Sequence, residues 1–433
     1  MLKDYFTYKD GGDQAFTVEA PKIKFGAGSL SEAGGDAVSL GLKRVVVFSD
    51  PRVAVMDCTS RLISSLNDAG VEAILYDACE VEPTDASFVA AGEFMKTGNF
   101  DGVFSIGGGS VMDTAKTANL LSTYPDDLMA YVNAPIGQAK AVPGPLKPHV
   151  ACPTTFGTAS ECTGIAICDF PSLGAKSGIS HPRLRPVLGI IDPLNLSSLP
   201  KNVLAANGFD VFSHAVESVT ARPYTHRPAP ETPDKRPLSQ GANPYSDLSC
   251  LEAIRLIGHN LVEAVNNPSD EGYEAMAMAG MLAGIGFGNA GCHLPHGMSY
   301  AVAGLSHDYV AEGWPGNHPM VPHGISVIVN APAVFRFTGK ACPERHLKAA
   351  EAMGANIDGV ALEDAGNVLA ERVIEMMQQT GMPNGVSAVG YSDNDIDALT
   401  ERAFMQKRLS DNAPLPVSKE DMRALFVDAM KYW

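Results

Sequence analysis

Arg44-Val-Val-Val-Phe-Ser-Asp-Pro51, Ala73-Ile-Leu-Tyr-Asp-Ala78 and Gly102-Val-Phe-Ser-Ile-Gly107 are three short apolar runs, and the residues between them, 53–69 and 84–97, carry apolar side chains at helical spacing. A β-branched run too short for a helix reads as a strand buried on both faces. Helices between such strands return the chain by right-handed crossovers, so a parallel sheet covered on both sides is expected. His149-Val-Ala-Cys-Pro153 and Val187-Leu-Gly-Ile-Ile-Asp-Pro193 extend the pattern, and from about Asn195 the strands stop. Helical periodicity then covers 201–220, 245–266, 271–288, 323–336, 345–353, 362–380, 394–404 and 419–430. The chain thus reads as an α/β domain with a parallel sheet, residues 1–194, followed by an all-α domain, 195–433. Residues 221–245 hold six prolines and little periodicity, and are expected to form a long loop.

Composition narrows the possibilities. A chain of 433 residues exceeds one ordinary core and fits two domains. Apolar residues make up 45% and charged residues 19%, values typical of a globular enzyme. A net charge of −17, with no compensating Lys/Arg stripe, argues against nucleic acid and anionic membrane as partners and leaves small molecules. The eight cysteines include no C-x-x-C pair, so neither a disulfide framework nor a thiolate metal site is indicated. The first residues, MLKDYFTYKDGGDQAF, lack an apolar signal core or an Arg-rich amphipathic pattern, which places the chain in the cytoplasm.

Three polar loops follow strands. Gly107-Gly108-Gly109-Ser110 precedes a helix at 111–121, where bare backbone and a helix N-terminus suit a pyrophosphate; a tight structural turn is the alternative. Asp50 ends an early strand and can accept hydrogen bonds from a ribose diol while repelling a 2′-phosphate, favouring NAD over NADP; it can equally start a helix before Pro51. Thr154, Thr155, Thr158 and Ser160 stand in Pro153-Thr-Thr-Phe-Gly-Thr-Ala-Ser-Glu161, fit for phosphate or nicotinamide contacts or for plain capping.

In the helical half, Asp210 and His214 lie one turn apart on the helix predicted at 201–220, flanked by Phe209, Val211, Phe212 and Ala215. A carboxylate on an apolar stripe needs a partner. A divalent metal completed by His296 and His323, each inside a Pro-His-Gly tripeptide, would supply it; glycine beside a ligand admits close backbone approach. One carboxylate and three imidazoles suit Fe(II) or Zn(II). An isolated D-x-x-x-H is more often a solvated or salt-bridged pair.

GGGS with Asp113 and Lys116, PTTFGTASE, the Asp210/His214 helix and the two His-Gly elements together resemble the iron-containing (group III) alcohol dehydrogenases, over nearly the whole chain from Phe25-Gly-Ala-Gly-Ser-Leu30 to Trp433. The resemblance implies a dinucleotide-binding α/β domain and a helical domain in the dehydroquinate synthase-like architecture, with a cleft between them. It implies metal ligands Asp210, His214, His296 and His323, and NAD contacts at Asp50, Gly107, Gly108, Gly109, Ser110, Asp113, Thr154, Thr155, Thr158, Ser160 and Lys176. The metal, Fe(II) or alternatively Zn(II), would act as Lewis acid on a substrate oxygen while hydride passes to the nicotinamide. Family members form homodimers or larger homo-oligomers.

Two features point to a branch. Tyr300, in His296-Gly-Met-Ser-Tyr300, stands where most members carry a second histidine; its phenol could relay the proton or only fill space, and His293 could stand in. That form and the proline-rich segment resemble members that act as hydroxyacid-oxoacid transhydrogenases, passing hydride from a 4-hydroxybutyrate-like acid to 2-oxoglutarate on a retained nicotinamide. A general oxidoreductase of short alcohols or diols, a dehydroquinate synthase-like lyase and an NAD-binding sensor are the alternatives. A substrate carboxylate would need a cation, and Arg222, Arg227, Lys235 and Arg236 could furnish one or form a solvated cluster.

Overall fold

The computed structural model describes residues 2–305, 308–314 and 319–433, excluding the side chains of Leu2, Lys3 and Asp234. It contains two compact units, one of residues 20–198 and one of residues 1–19 with 199–433. In the first unit six strands form a wholly parallel sheet: β1 (Lys22–Phe25), β2 (Arg44–Phe48), β3 (Glu72–Tyr76), β4 (Gly102–Gly107), β5 (His149–Pro153) and β8 (Leu188–Ile191). Their order is β1-β8-β5-β4-β2-β3. Alternate residues face opposite sides: Val45, Val47, Phe104 and Ile106 pack with Leu62 and Leu66, whereas Val46, Phe48 and Val103 pack with Ala91, Met95 and Ala115. Burial on both faces is why these strands read as unbroken apolar runs.

The strand order has a direct consequence for function. Phe48 of β2 sits beside Ser105 of β4, and Gly107 of β4 beside Pro153 of β5. The loops carrying Asp50, Gly107–Ser110 and Thr154–Ser160 therefore leave three adjacent strands at one sheet edge. A hairpin not foreseen from the sequence follows: β6 (Ile165–Phe170) pairs antiparallel with β7 (Ala175–Ser180) through a turn whose Gly174 has φ +53°. Its half-buried strands, rich in Ser and Gly on the return, lack the dense apolar signal of the main sheet.

The helical unit is built on three long helices, Lys201–Thr220, Pro244–Asn266 and Asp270–Ala290. The helix expected at 323–336 is two, His323–Ile328 and Ala331–Gly339, because Pro332 at the start of the second has no N–H to continue the ladder. Leu294–Gly304 is a further helix, bent by 101° from the one before it; no single described helix is long and apolar enough to cross a membrane.

The boundary expected at 194/195 needs correction at both ends. The division falls between Ser198 and Leu199, and residues 1–19 belong to the helical unit. Tyr5 is buried there, bonding to Asp247 and lying beneath the Arg345 guanidinium. Asp13 accepts from Arg236 (2.9 Å, to each carboxylate oxygen) and from Arg227 (3.1 Å). These contacts, with backbone bridges Gly12–Pro228 and Pro223–Ala242, order the proline-rich loop. They also engage three of the four cations considered for a substrate carboxylate: Arg227 and Arg236 pair with Asp13, and exposed Lys235 pairs with Glu231.

Candidate metal centre

Helix Lys201–Thr220 is buried along nearly its whole length, and its packing brings Asp210 and His214 to one inner face. Leu294–Gly304 delivers His296, and His323 opens His323–Ile328. From Asp210 Oδ1 the distances are 3.8 Å to His214 Nδ1, 3.5 Å to His296 Nε2 and 3.5 Å to His323 Nε2. Bonds of about 2.1 Å arranged tetrahedrally put ligand atoms roughly 3.4 Å apart. The four groups offer donor atoms all within 4.8 Å of one another. Asp210 Oδ1, His214 Nδ1 and His296 Nε2 are buried and make no hydrogen bond, a cost a fold does not normally bear at three converging atoms. The donor set therefore fits a divalent ion of the Fe(II)/Zn(II) kind.

The surroundings fix how these rings point. Glu217, fully buried on the same helix, accepts from His296 Nδ1 at 2.6 Å and from the His293 backbone N–H at 2.7 Å. A carboxylate only accepts, so Nδ1 carries a proton, and Nε2, on the side of Asp210, is the atom that would be given to an ion. His214 is held differently, its ring stacked on Phe287 (centroids 4.0 Å apart) and on His296 (4.5 Å). Burial opposes ionisation of Asp210, but the neighbouring histidines outweigh it and hold its carboxyl at about 2; burial drives His214 down to about 3. Burial also disfavours charged His296, yet the field of Glu217 raises it well above the usual histidine value. The sequence reading passed over Glu217, whose position seven residues after Asp210 and three after His214 was the available signal.

The two glycines next to ligands are not equivalent. A methyl group on Gly324 would sit 2.3 Å from Ala206 O, so glycine is what lets this helix meet Lys201–Thr220. On Gly297 it would lie 3.5 Å from Leu409, an ordinary contact, and the close-approach argument fails there. Both ring nitrogens of His293 are engaged within the helical unit: Nδ1 accepts from the Leu294 N–H, and Nε2 donates to Thr220 Oγ1, whose own hydroxyl is given to Val216 O. Tyr300 is half-buried one helical turn beyond His296.

In the α/β unit, Asp50 Oδ1 accepts from Arg52 N (2.9 Å) and Val53 N (3.1 Å), the capping use. A methyl group on Gly107 would meet Val111 at 2.5 Å, so the turn itself needs glycine there, and one on Gly109 would meet the Thr158 side chain at 2.6 Å, so glycine admits the threonine loop against the helix start. Gly108, Ser110, Thr155 and Thr158 remain part-exposed, and Thr154 N donates to Gly107 O. Asp113 and Ser160 face inward: Asp113 accepts from Ser160 Oγ (2.6 Å) and Ile167 N (2.9 Å), while buried Lys116 donates to Ser160 Oγ (2.5 Å) and Ile165 O (2.7 Å). Their polar atoms tie the helix Gly109–Thr123 to β6. Lys176 on β7 is paired with Glu82 and, at 3.0 Å, with Asp169.

Comparison with known proteins bears on the whole chain. The family model for iron-containing alcohol dehydrogenase matches residues 20–193, and that for the C-terminal region of the Fe-containing alcohol dehydrogenase family matches 238–430. Mitochondrial hydroxyacid-oxoacid transhydrogenases from Xenopus laevis and Homo sapiens are 46% and 45% identical over 424 residues, spanning 97% of this chain and 92% and 91% of theirs. Among solved structures, a 1,3-propanediol oxidoreductase superposes with a TM-score of 0.84 at 28% identity, covering 96% of this chain and 100% of that one. An alcohol dehydrogenase from Oenococcus oeni gives 0.83 at 27%, with the same coverage. The relatives' mitochondrial names overturn the cytoplasmic placement. That placement rested on residues 1–16, which are part of the folded helical unit and speak to its packing, not to its address.

Proposed function

Because this chain belongs to the iron-containing alcohol dehydrogenase family and is an oxidoreductase, we propose that it is an NAD- and Fe(II)-dependent hydroxyacid-oxoacid transhydrogenase. It would move hydride from a 4-hydroxybutyrate-like acid to a 2-oxoglutarate-like acceptor. The observation that carries the metal part is the convergence of three buried donor atoms without hydrogen bonds, Asp210 Oδ1, His214 Nδ1 and His296 Nε2; the substrate class rests on the names of the 46% and 45% identical relatives. Asp210, His214, His296 and His323 would hold the metal. When bound, the metal would polarise the substrate oxygen and the nicotinamide would take and return the hydride.

The chain's own residues do the rest. Gly108 and Gly109 with the start of helix Gly109–Thr123 would receive the pyrophosphate, and Thr155 and Thr158 would line its neighbour loop. Asp50 would meet the ribose with its carboxylate, and Lys176, anchored by Glu82 and Asp169, would border the same site. Tyr300 would move the hydroxyl proton in place of a histidine. We further propose a homodimer or larger assembly. Incubating the protein with 4-hydroxybutyrate deuterated at its carbinol carbon and with 2-oxoglutarate tests the reading. Deuterium in 2-hydroxyglutarate without added NAD is expected; transfer that occurs only with added NAD would instead make it an ordinary alcohol dehydrogenase.

A further inference from the structure

Glu217 has no part in the chemistry just described, yet its carboxylate is completely withdrawn from solvent in the helical unit. A buried carboxylate costs several kcal/mol or more unless charge or hydrogen bonds compensate it. Among the described residues no Lys or Arg pairs with it; its partners are His296 Nδ1 at 2.6 Å and the His293 N–H at 2.7 Å.

Two explanations compete. Glu217, Cys292 and His296 could themselves hold a second ion, since one donor atom from each lies within the same 4.8 Å span. Against that, both oxygens of Glu217 already accept hydrogen bonds, and His296 Nδ1 is the donor in one of them. An ion there would break both bonds and would also strip the start of helix Leu294–Gly304 of its anchor. The other explanation uses the bonds as they stand. Held by Glu217, His296 keeps its proton on Nδ1 and its Nε2 free for the ion shared with Asp210. Charge agrees: with neutral imidazoles, the two carboxylates of Asp210 and Glu217 cancel one dication, leaving a neutral cluster in a buried setting. Among the described residues no second carboxylate bonds to His214, whose ring is stacked on Phe287 and His296.

We propose that Glu217 is the positioning residue and second counter-charge of the metal centre, setting its affinity for divalent ions through His296 without contacting the ion. This rests on the metal centre proposed above. The test is titration of the chelator-stripped full-length protein with Co(II), followed by ligand-field absorption, with the melting temperature of the metal-free protein as a check on folding. Wild type should bind one equivalent with a tetrahedral-type spectrum. Glu217→Gln should bind the same single equivalent about 10–100-fold more weakly, with a shifted spectrum. Glu217→Asp, which keeps the charge but falls a methylene short of Nδ1, should lie between the two. A wild type that binds no Co(II) would remove the metal centre itself. Binding to Glu217→Gln within threefold of wild type, or a second equivalent that vanishes in that variant, would overturn the role given to Glu217 alone. If neither variant folds, Glu217 serves packing and the proposal also falls.

Discussion

At the scale of single residues, the centre depends on Asp210 most of all, because its Oδ1 is the atom toward which three imidazoles converge. Asp210→Ala or His296→Ala should lose the bound metal in elemental analysis while the far-UV circular dichroism is retained. Tyr300→Phe should leave metal content intact but lower kcat by about tenfold or more, the usual scale for removing a positioned proton-transfer group. An unchanged kcat would reduce Tyr300 to packing. The glycines give a paired test of geometry. Gly324→Ala should destabilise the helical unit and weaken metal binding because its methyl would strike Ala206 O, whereas Gly297→Ala should be tolerated; thermal melting of both variants decides it. The four residues whose donor atoms converge were legible in the sequence because aspartate, three histidines and their apolar flanks stand out from it. Glu217 was passed over: its spacing placed it on the face of Asp210 and His214, but nothing local marked the bond it makes to His296 79 residues later.

At the scale of elements, what the sequence showed depended on density of signal. The strands Arg44–Phe48 and Gly102–Gly107 were plain because both their faces are buried. Helix Leu294–Gly304 was hidden although it carries His296: its Pro295 and Gly297 read as loop residues, while Pro295 occupies the first turn where a missing N–H costs little. The N-terminal segment was hidden for another reason, since its partners Gln240, Asp247 and Arg345 are more than 200 residues away. This strap makes a pH prediction. The Arg236 hydrogen bonds, stronger than the opposing effect of burial, hold Asp13 at about 2, below the ordinary 3.8. A carboxyl lowered by folding contributes stability above its unfolded value and loses it as pH falls through the folded one, so the loss here runs from about pH 4 to pH 2. Asp13→Asn should therefore cost about 2 kcal/mol at neutral pH and flatten that acid limb in denaturant titrations.

At the scale of the whole molecule, the α/β unit supplies a sheet edge with three adjacent loops, and the helical unit supplies four side chains whose donor atoms converge. Metal that binds only the folded helical unit must stabilise it, so chelation should lower its melting temperature and added Co(II) or Zn(II) should restore it. Two-domain organisation and class were readable from the switch near residue 195 between strand and helix patterns; the assignment of residues 1–19 was not, because composition does not reveal which unit a polar segment packs on. The most direct test of the account is elemental analysis of the purified chain, paired with deuterium transfer on the same preparation. One iron or zinc ion per chain is expected, with transfer lost as the ion is removed and regained as it returns. A metal-free chain that still passes deuterium from hydroxy acid to oxo acid would contradict it.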